Sequence, residues 1–229
     1  MQIYRDFINI VRPQEIIKTM ELKFSKQIIL LIFICLILPI SPVFSAQEGT
    51  EYTSFFGFTL NKVTLSEIQS KLGNAPIIET GDAGDYEASI CYLLPSGYTI
   101  SFLSGELGGS NHEFLGYSVR RTSEREDNCL KINSSTAIDF KPQVGKLRIG
   151  MTKIKFTQTF GKKIRWLEGN RALVSFESRR KMTKQELQNF KKTWPSVVEY
   201  PYFDIVIGLT GKFKEDLISE FIVWKTETN

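Results

Sequence analysis

Val63-Thr-Leu-Ser-Glu-Ile-Gln-Ser-Lys-Leu-Gly73 and Met151-Thr-Lys-Ile-Lys-Phe-Thr-Gln-Thr-Phe-Gly161 are two copies of one short pattern, about 88 residues apart. Each opens on an apolar residue and a threonine, carries apolar side chains at matching offsets, and closes on glycine. In the first copy Thr64 and Glu67 have the spacing of a capping box, which satisfies the orphan N–H groups of a helix start, and Val63 and Ile68 stand where a hydrophobic staple would be. Leu65, Ile68 and Leu72 share one helical face, and Gly73 followed by Pro76 ends the helix. The second copy keeps the cap (Thr152), the staple pair (Met151 and Phe156) and Phe160-Gly161, but places Lys155 where the box needs a glutamate. Leu147-Arg-Ile149-Gly150 before it reads as an extended lead-in.

Runs rich in β-branched and aromatic residues follow each helix. They fall at 86–94, 98–104 and 114–120 in the first half and at 172–178, 202–208 and 217–225 in the second, with loops at 105–113 and 209–216. No crossover helices are needed, which favours antiparallel meanders. The expected fold is α+β: two tandem repeats, each a short helix followed by a three-stranded antiparallel meander, with the helices packed on one sheet face. The expected boundaries are a signal segment at 1–45, repeat 1 at 46–121, a connector at 122–146, and repeat 2 at 147–229 with a helical insertion at 183–194. In that insertion Thr183 and Glu186 form another capping box, Leu187, Phe190 and Trp194 share a face, and Pro195 stops the helix. Such a helix either packs on its own domain or lies on an anionic surface. The aromatic clusters Phe55-Phe56-Gly57-Phe58 and Tyr200-Pro201-Tyr202-Phe203 are expected to fill the core.

The first 45 residues have the order of a secretory signal: Lys23 and Lys26, an apolar run from Ile28 to Ile40, then Val43-Phe44-Ser45-Ala46. Cleavage is expected after Ser45, giving a periplasmic or secreted protein; an uncleaved anchor is the alternative. Met20 directly precedes the basic stretch, so a start there leaves 1–19 untranslated. Cys35 lies within the apolar run, and Ile32-Phe33-Ile34 before it lacks the small residues of a lipoprotein box. Two cysteines then remain, Cys91 and Cys129, and an even pair in an exported chain is most simply a disulfide. A two-cysteine metal site would need further ligands, and His112 is the sole histidine.

The formal net charge of +4 hides an asymmetry: 46–140 carries 6 Lys/Arg against 13 Asp/Glu, and 141–229 carries 18 against 9. Either the two halves attract each other, or a basic face meets an anionic partner. The cations of that second reading are Lys162, Lys163, Arg165, Arg179, Arg180 and Lys181, and its partner would be an anionic lipid or polysaccharide. No nucleic acid partner is expected of an exported chain.

Signals for chemistry are sparse. His112 stands in Gly108-Gly-Ser-Asn-His-Glu113 and reads as a solvated loop histidine. Asp82, Asp85 and Glu87 are acidic neighbours without EF-hand spacing. No phosphate loop or dinucleotide fingerprint appears, so no cofactor, metal or catalytic residue is assigned and no enzymatic activity is expected.

Ile149-Gly150-Met151-Thr152, Phe160-Gly161, Val63-Thr64 and Leu72-Gly73 together resemble the unit of small periplasmic domains of the BamE (SmpA/OmlA) type. Two such units with a disulfide resemble the β-lactamase-inhibitor-like arrangement. The first copy departs from the pattern at Asn61-Lys62, where Ile-Gly would stand. The resemblance implies a non-enzymatic interaction module of the cell envelope; with the duplication, the signal segment and the lack of a catalytic constellation, the expectation is binding to another envelope protein through the sheet face or loops.

Overall fold

Both threonine-capped stretches are helical in the computed structural model, which describes residues 48–82, 85–122, 128–132, 140–193 and 201–228. All belong to one compact unit, Ser45–Asn229. The expected signal segment, Tyr200 and the Trp194-Pro195 end of the expected insertion lie outside the described residues. Helix α1 is Leu65–Leu72 and α2 is Lys153–Phe160. Thr64 Oγ1 accepts from the Glu67 amide at 3.3 Å, and the Thr64 amide donates to Glu67 Oε2 at 2.7 Å, so the capping box is complete. Thr152 Oγ1 accepts from the Lys155 amide at 3.1 Å with no carboxylate to reciprocate.

Among the described residues, thirteen strands surround the helices. In chain order they are β1 Ser54–Phe55, β2 Phe58–Thr59, β3 Ile78–Thr80, β4 Glu87–Leu93, β5 Tyr98–Gly105, β6 Gly116–Arg121, β7 Leu130–Lys131, β8 Gln143–Val144, β9 Leu147–Arg148, β10 Ile164–Leu167, β11 Arg171–Lys181, β12 Tyr202–Lys214 and β13 Leu217–Thr228. A third helix, α3, spans Lys184–Thr193. Nine strands make one sheet in the order β10-β11-β12-β13-β6-β5-β4-β3, with β7 added in parallel at one end of β4.

That single sheet overturns the expectation of two helix-plus-meander repeats. Strand β13 pairs antiparallel with β6, setting Phe221 opposite Val119 and Val223 opposite Tyr117, so the molecule is mostly β and continuous across both halves. Two separate meanders would leave two more rows of unpaired N–H and C=O groups at strand edges, and the β6–β13 ladder removes them. The core is continuous too. Ile100, Phe102, Tyr117, Val119, Phe221, Val223, Leu209 and Val174 alternate onto one face, where Leu65 and Ile68 of α1 and Phe156 and Phe160 of α2 meet them. The first aromatic cluster is core as expected, with the Phe55 ring stacked on Tyr117 at 4.1 Å. Phe203 of the second cluster is only half-buried.

The opposite face carries Leu173, Val206, Ile222 and Trp224, all half-buried. Gly116 admits the Trp224 ring, since a Cβ there would stand 2.7 Å from it. The loop expected at 209–216 is instead strand: β12 runs to Lys214, and the chain reverses at Glu215 and Asp216, both at positive φ (52° and 61°). Two consecutive positive-φ residues match the twist of a tight hairpin.

Cys91 of β4 and Cys129 beside β7 form a disulfide, with Cα atoms 4.8 Å apart, so part of the expected connector is stapled to the sheet. Among the described residues no helix is long and apolar enough to cross a membrane.

Candidate interaction surface

The six basic residues singled out as an anion site do not form one surface. Lys162 and Lys163 lie in the 3-10 turn Gly161–Lys163, and Arg165 is on β10. Arg179, Arg180 and Lys181 end β11. Because Arg165 pairs with Leu173, the two groups stand about 20 Å apart along β11. Three of the six are already neutralised. Lys163 pairs with Glu48 and lies 4.8 Å over the Phe176 ring. Arg179 Nε meets Asp204 Oδ1 at 2.7 Å. Arg180 grips Glu186 through two nitrogens (2.9 and 3.0 Å) and Glu227 at 2.7 Å.

That Arg180 cluster ties α3 to the sheet. Glu186, the capping residue of α3, is pulled down to about 2 by Arg180 and then by the Thr183 amide. Burial alone would push the Glu227 carboxyl up, but Lys225 at 2.5 Å and Arg180 hold it below the ordinary carboxylate value. The helix buries none of its own side chains; Leu187 and Phe190 are only half-covered. Ion pairing and this partial apolar cover together hold it in place.

His112 is not a solvated loop residue. Its side chain is 17% exposed, and Nε2 lies 2.9 Å from the Tyr86 hydroxyl and 3.1 Å from Glu79 Oε1. Burial, followed by the Glu79 carboxylate, raises the Tyr86 pKa. The arrangement joins β3, the chain leading into β4, and the loop after β5. Among the described residues the partners of the imidazole are that phenol and that carboxylate. Among the described residues no group of three His, Cys, Asp or Glu side chains converges as a metal site, Asp82, Asp85 and Glu87 included.

The surface that stands out lies at the start of α2. Ile154 is 73% exposed, Trp166 44% and Leu217 43%, and these are three of the four large apolar side chains left exposed among the described residues. They share one end of the fold because the α2 start is sewn to the β12–β13 turn: the Lys153 amide donates to Asp216 O at 2.8 Å and the Ile218 amide to Met151 O at 2.9 Å. Trp166 reaches the same place from β10, its ring 5.8 Å from Phe213 and 6.4 Å from Phe156. Lys153 Nζ sits 4.7 Å over the indole, close enough for a cation–π contact. Between α2 and β10 runs a groove of about 620 Å³ lined by Ile154, Thr157, Gln158, Trp166 and Asp216.

None of these apolar residues was marked by the sequence as functional. The available signal was a mismatch between the two helices. Ile154 falls where α1 has Ser66, a solvent-facing position, so an apolar side chain there serves no core. Comparison with protein-family models, curated proteins and solved structures finds no match to this chain.

Proposed function

We propose that this is an exported, non-enzymatic envelope protein whose work is to bind another protein, and that the Ile154–Trp166 groove is where it does so. The observation that carries the reading is that two exposed apolar side chains, Ile154 and Trp166, line one groove of an otherwise well-packed fold. Contiguous exposed apolar surface edged by charge is the usual composition of an interaction site, with tryptophan enriched at its centre. The Cys91–Cys129 disulfide supports an oxidising compartment, as does the signal-like order of residues 1–45. The motif likeness to BamE-type domains supports the same class of role.

Binding of an anionic lipid or polysaccharide is the second reading, favoured by Lys153, Lys155 and Arg165 around the patch. One experiment separates the two. A photo-crosslinking residue at position 154, with position 107 as an exposed apolar control, gives a discrete protein adduct that survives high salt if the protein-binding reading holds. An adduct containing only lipid or polysaccharide, lost in high salt, would replace it with the second. Equal labelling from both positions would remove both.

A further inference from the structure

We infer that the free edge of β10 accepts an extended, acidic segment of a partner protein as one more strand of the sheet, with that segment's apolar side chains seated in the groove between β10 and α2. The inference rests on the protein-binding reading above and adds the mode and the chemistry of the partner.

Strand β10 is the last strand on its side of the sheet: it pairs with β11, and no described strand pairs with its other side. Its outward N–H and C=O groups are therefore a template for an added strand, whose main-chain bonds supply affinity while alternate side chains supply specificity. The two faces of β10 state what those side chains should be. Trp166 pairs with the buried Ala172 and lies on the helix side of the sheet, so every second residue of an added strand would face Trp166, Ile154, Thr157 and Gln158. Arg165 pairs with Leu173 on the opposite face, so the intervening residues would face a guanidinium. Cross-strand neighbours sit about 5 Å apart, close enough for both contacts. Apolar toward the helix and acidic toward Arg165 is a two-residue alternation, the natural period of a strand.

Charge supports the acidic assignment. The first turn of α2 holds Lys153 and Lys155 and no acidic residue, so its N-terminal dipole adds to the two cations. Among the described residues Lys155, Lys162 and Arg165 have no ion-pair partner, while the groove itself contains a single carboxylate, Asp216, at one end. The opposite edge of the sheet is unsuited to the same segment. There Glu79 of β3 occupies the position of Trp166, opposite the buried Ala88, and would repel an acidic strand.

The test uses the disulfide-bonded full chain and three acetylated, amidated nine-residue peptides: alternating Glu and Val, alternating Lys and Val, and the Glu–Val peptide with alternate amides N-methylated. Backbone amide signals and hydrogen exchange are followed by NMR. The Glu–Val peptide is expected to shift Ile154 and Trp166 and to slow exchange of amides in 164–167 at least tenfold. The Lys–Val peptide should bind at least tenfold more weakly, and N-methylation should abolish binding. A Lys155→Glu/Arg165→Glu variant, altered only at exposed positions, should reverse the preference between the two charged peptides. Undiminished binding of the N-methylated peptide, or no added protection in β10, overturns strand addition. If the crosslinker at 154 still captures its protein in that case, the protein-binding reading stands and only this inference falls. Protection of 164–167 that rises with protein concentration in the absence of peptide overturns it in favour of a second copy of the chain.

Discussion

At one edge of the sheet Glu79 stands opposite Ala88 and meets His112, which in turn meets Tyr86; at the other edge Trp166 stands opposite Ala172 and meets Lys153, Phe156 and Phe213. The backbone plan beneath is the same in both places. The amide of Leu65 at the head of α1 donates to His112 O at 2.9 Å, and that of Lys153 at the head of α2 donates to Asp216 O at 2.8 Å. What differs is the closure. The β3 edge is finished with polar side chains that satisfy one another, whereas the β10 edge leaves an indole and an isoleucine in solvent. Both strands end the sheet, so the difference lies in their side chains, and the proposed function rests on it.

The largest expected effect tests whether the two ends belong to one structure. Phe156 is fully buried beneath α2, edge-on to Phe213 at 5.5 Å, and Ile68 is its counterpart beneath α1. Phe156→Ala should cost about 4 kcal/mol and Ile68→Ala about 3 kcal/mol in urea unfolding. Each variant should keep a single transition with unchanged m-value, because the β6–β13 ladder and the shared core couple both ends. A second transition appearing in either variant would show that the halves unfold separately.

Next in size are the helix starts. Glu67→Lys removes the carboxylate of a complete capping box and sets a cation on a helix N-terminus, a loss of about 1 kcal/mol. Lys155→Glu supplies the missing carboxylate of α2 and should stabilise by about 0.5 kcal/mol, while weakening capture of an acidic partner. Opposite signs at equivalent positions sharpen the comparison: α1 is built for stability, and α2 gives some up to carry charge. If Lys155→Glu stabilised the fold and left binding untouched, that argument would be lost.

Much of this was legible in local sequence. The caps at Thr64, Thr152 and Thr183 depend on neighbours three residues away, and the structure forms all three. The central strands announced themselves by composition. What could not be read was pairing. Nothing in Gly116–Arg121 says that its neighbour is β13, and without that pairing two repeats look like two sheets. Gly211 weakens a strand reading of 209–214, yet β12 runs through it and the Phe156 ring packs against that glycine. Strand β10 is four residues long, Ile164-Arg-Trp-Leu167, too short for alternation to show. The ion pairs of the charged candidates were hidden for the same reason: Asp204, Glu227 and Glu186 reach Arg179 and Arg180 through strand register and α3.

A smaller effect concerns α3, which has no counterpart at the α1 end. Glu186 and Glu227 both have depressed pKa values in the folded protein. Groups of that kind contribute stability above the unfolded carboxylate pKa, near 4.3, and lose it as pH falls through the folded value, about 2 for Glu186. Amides of 184–193 should therefore lose exchange protection between about pH 4.3 and pH 2, ahead of the sheet. Solvent screening of these half-exposed ion pairs keeps the effect below about 1 kcal/mol. Arg180→Met should shrink the pH step, leaving what the Thr183 amide and Lys225 still contribute; a step of undiminished size in this variant would assign it to other carboxylates.

The smallest expected change in stability is the most informative about function. Ile154→Ser copies the residue that α1 carries at the matching position, and Ile154 is 73% exposed, so folding stability should move by no more than about 0.5 kcal/mol. Partner capture should nevertheless fall, because the substitution removes the apolar wall facing Trp166 while leaving the core, the Thr152 cap and the β10 backbone in place. The reciprocal change, Ser66→Ile, should leave both stability and binding unaltered, since Glu79 and His112 still close the β3 edge. If Ile154→Ser instead cost several kcal/mol without affecting capture, the exposed isoleucine would be part of the fold's own packing, and the contrast between the two edges would carry no functional meaning.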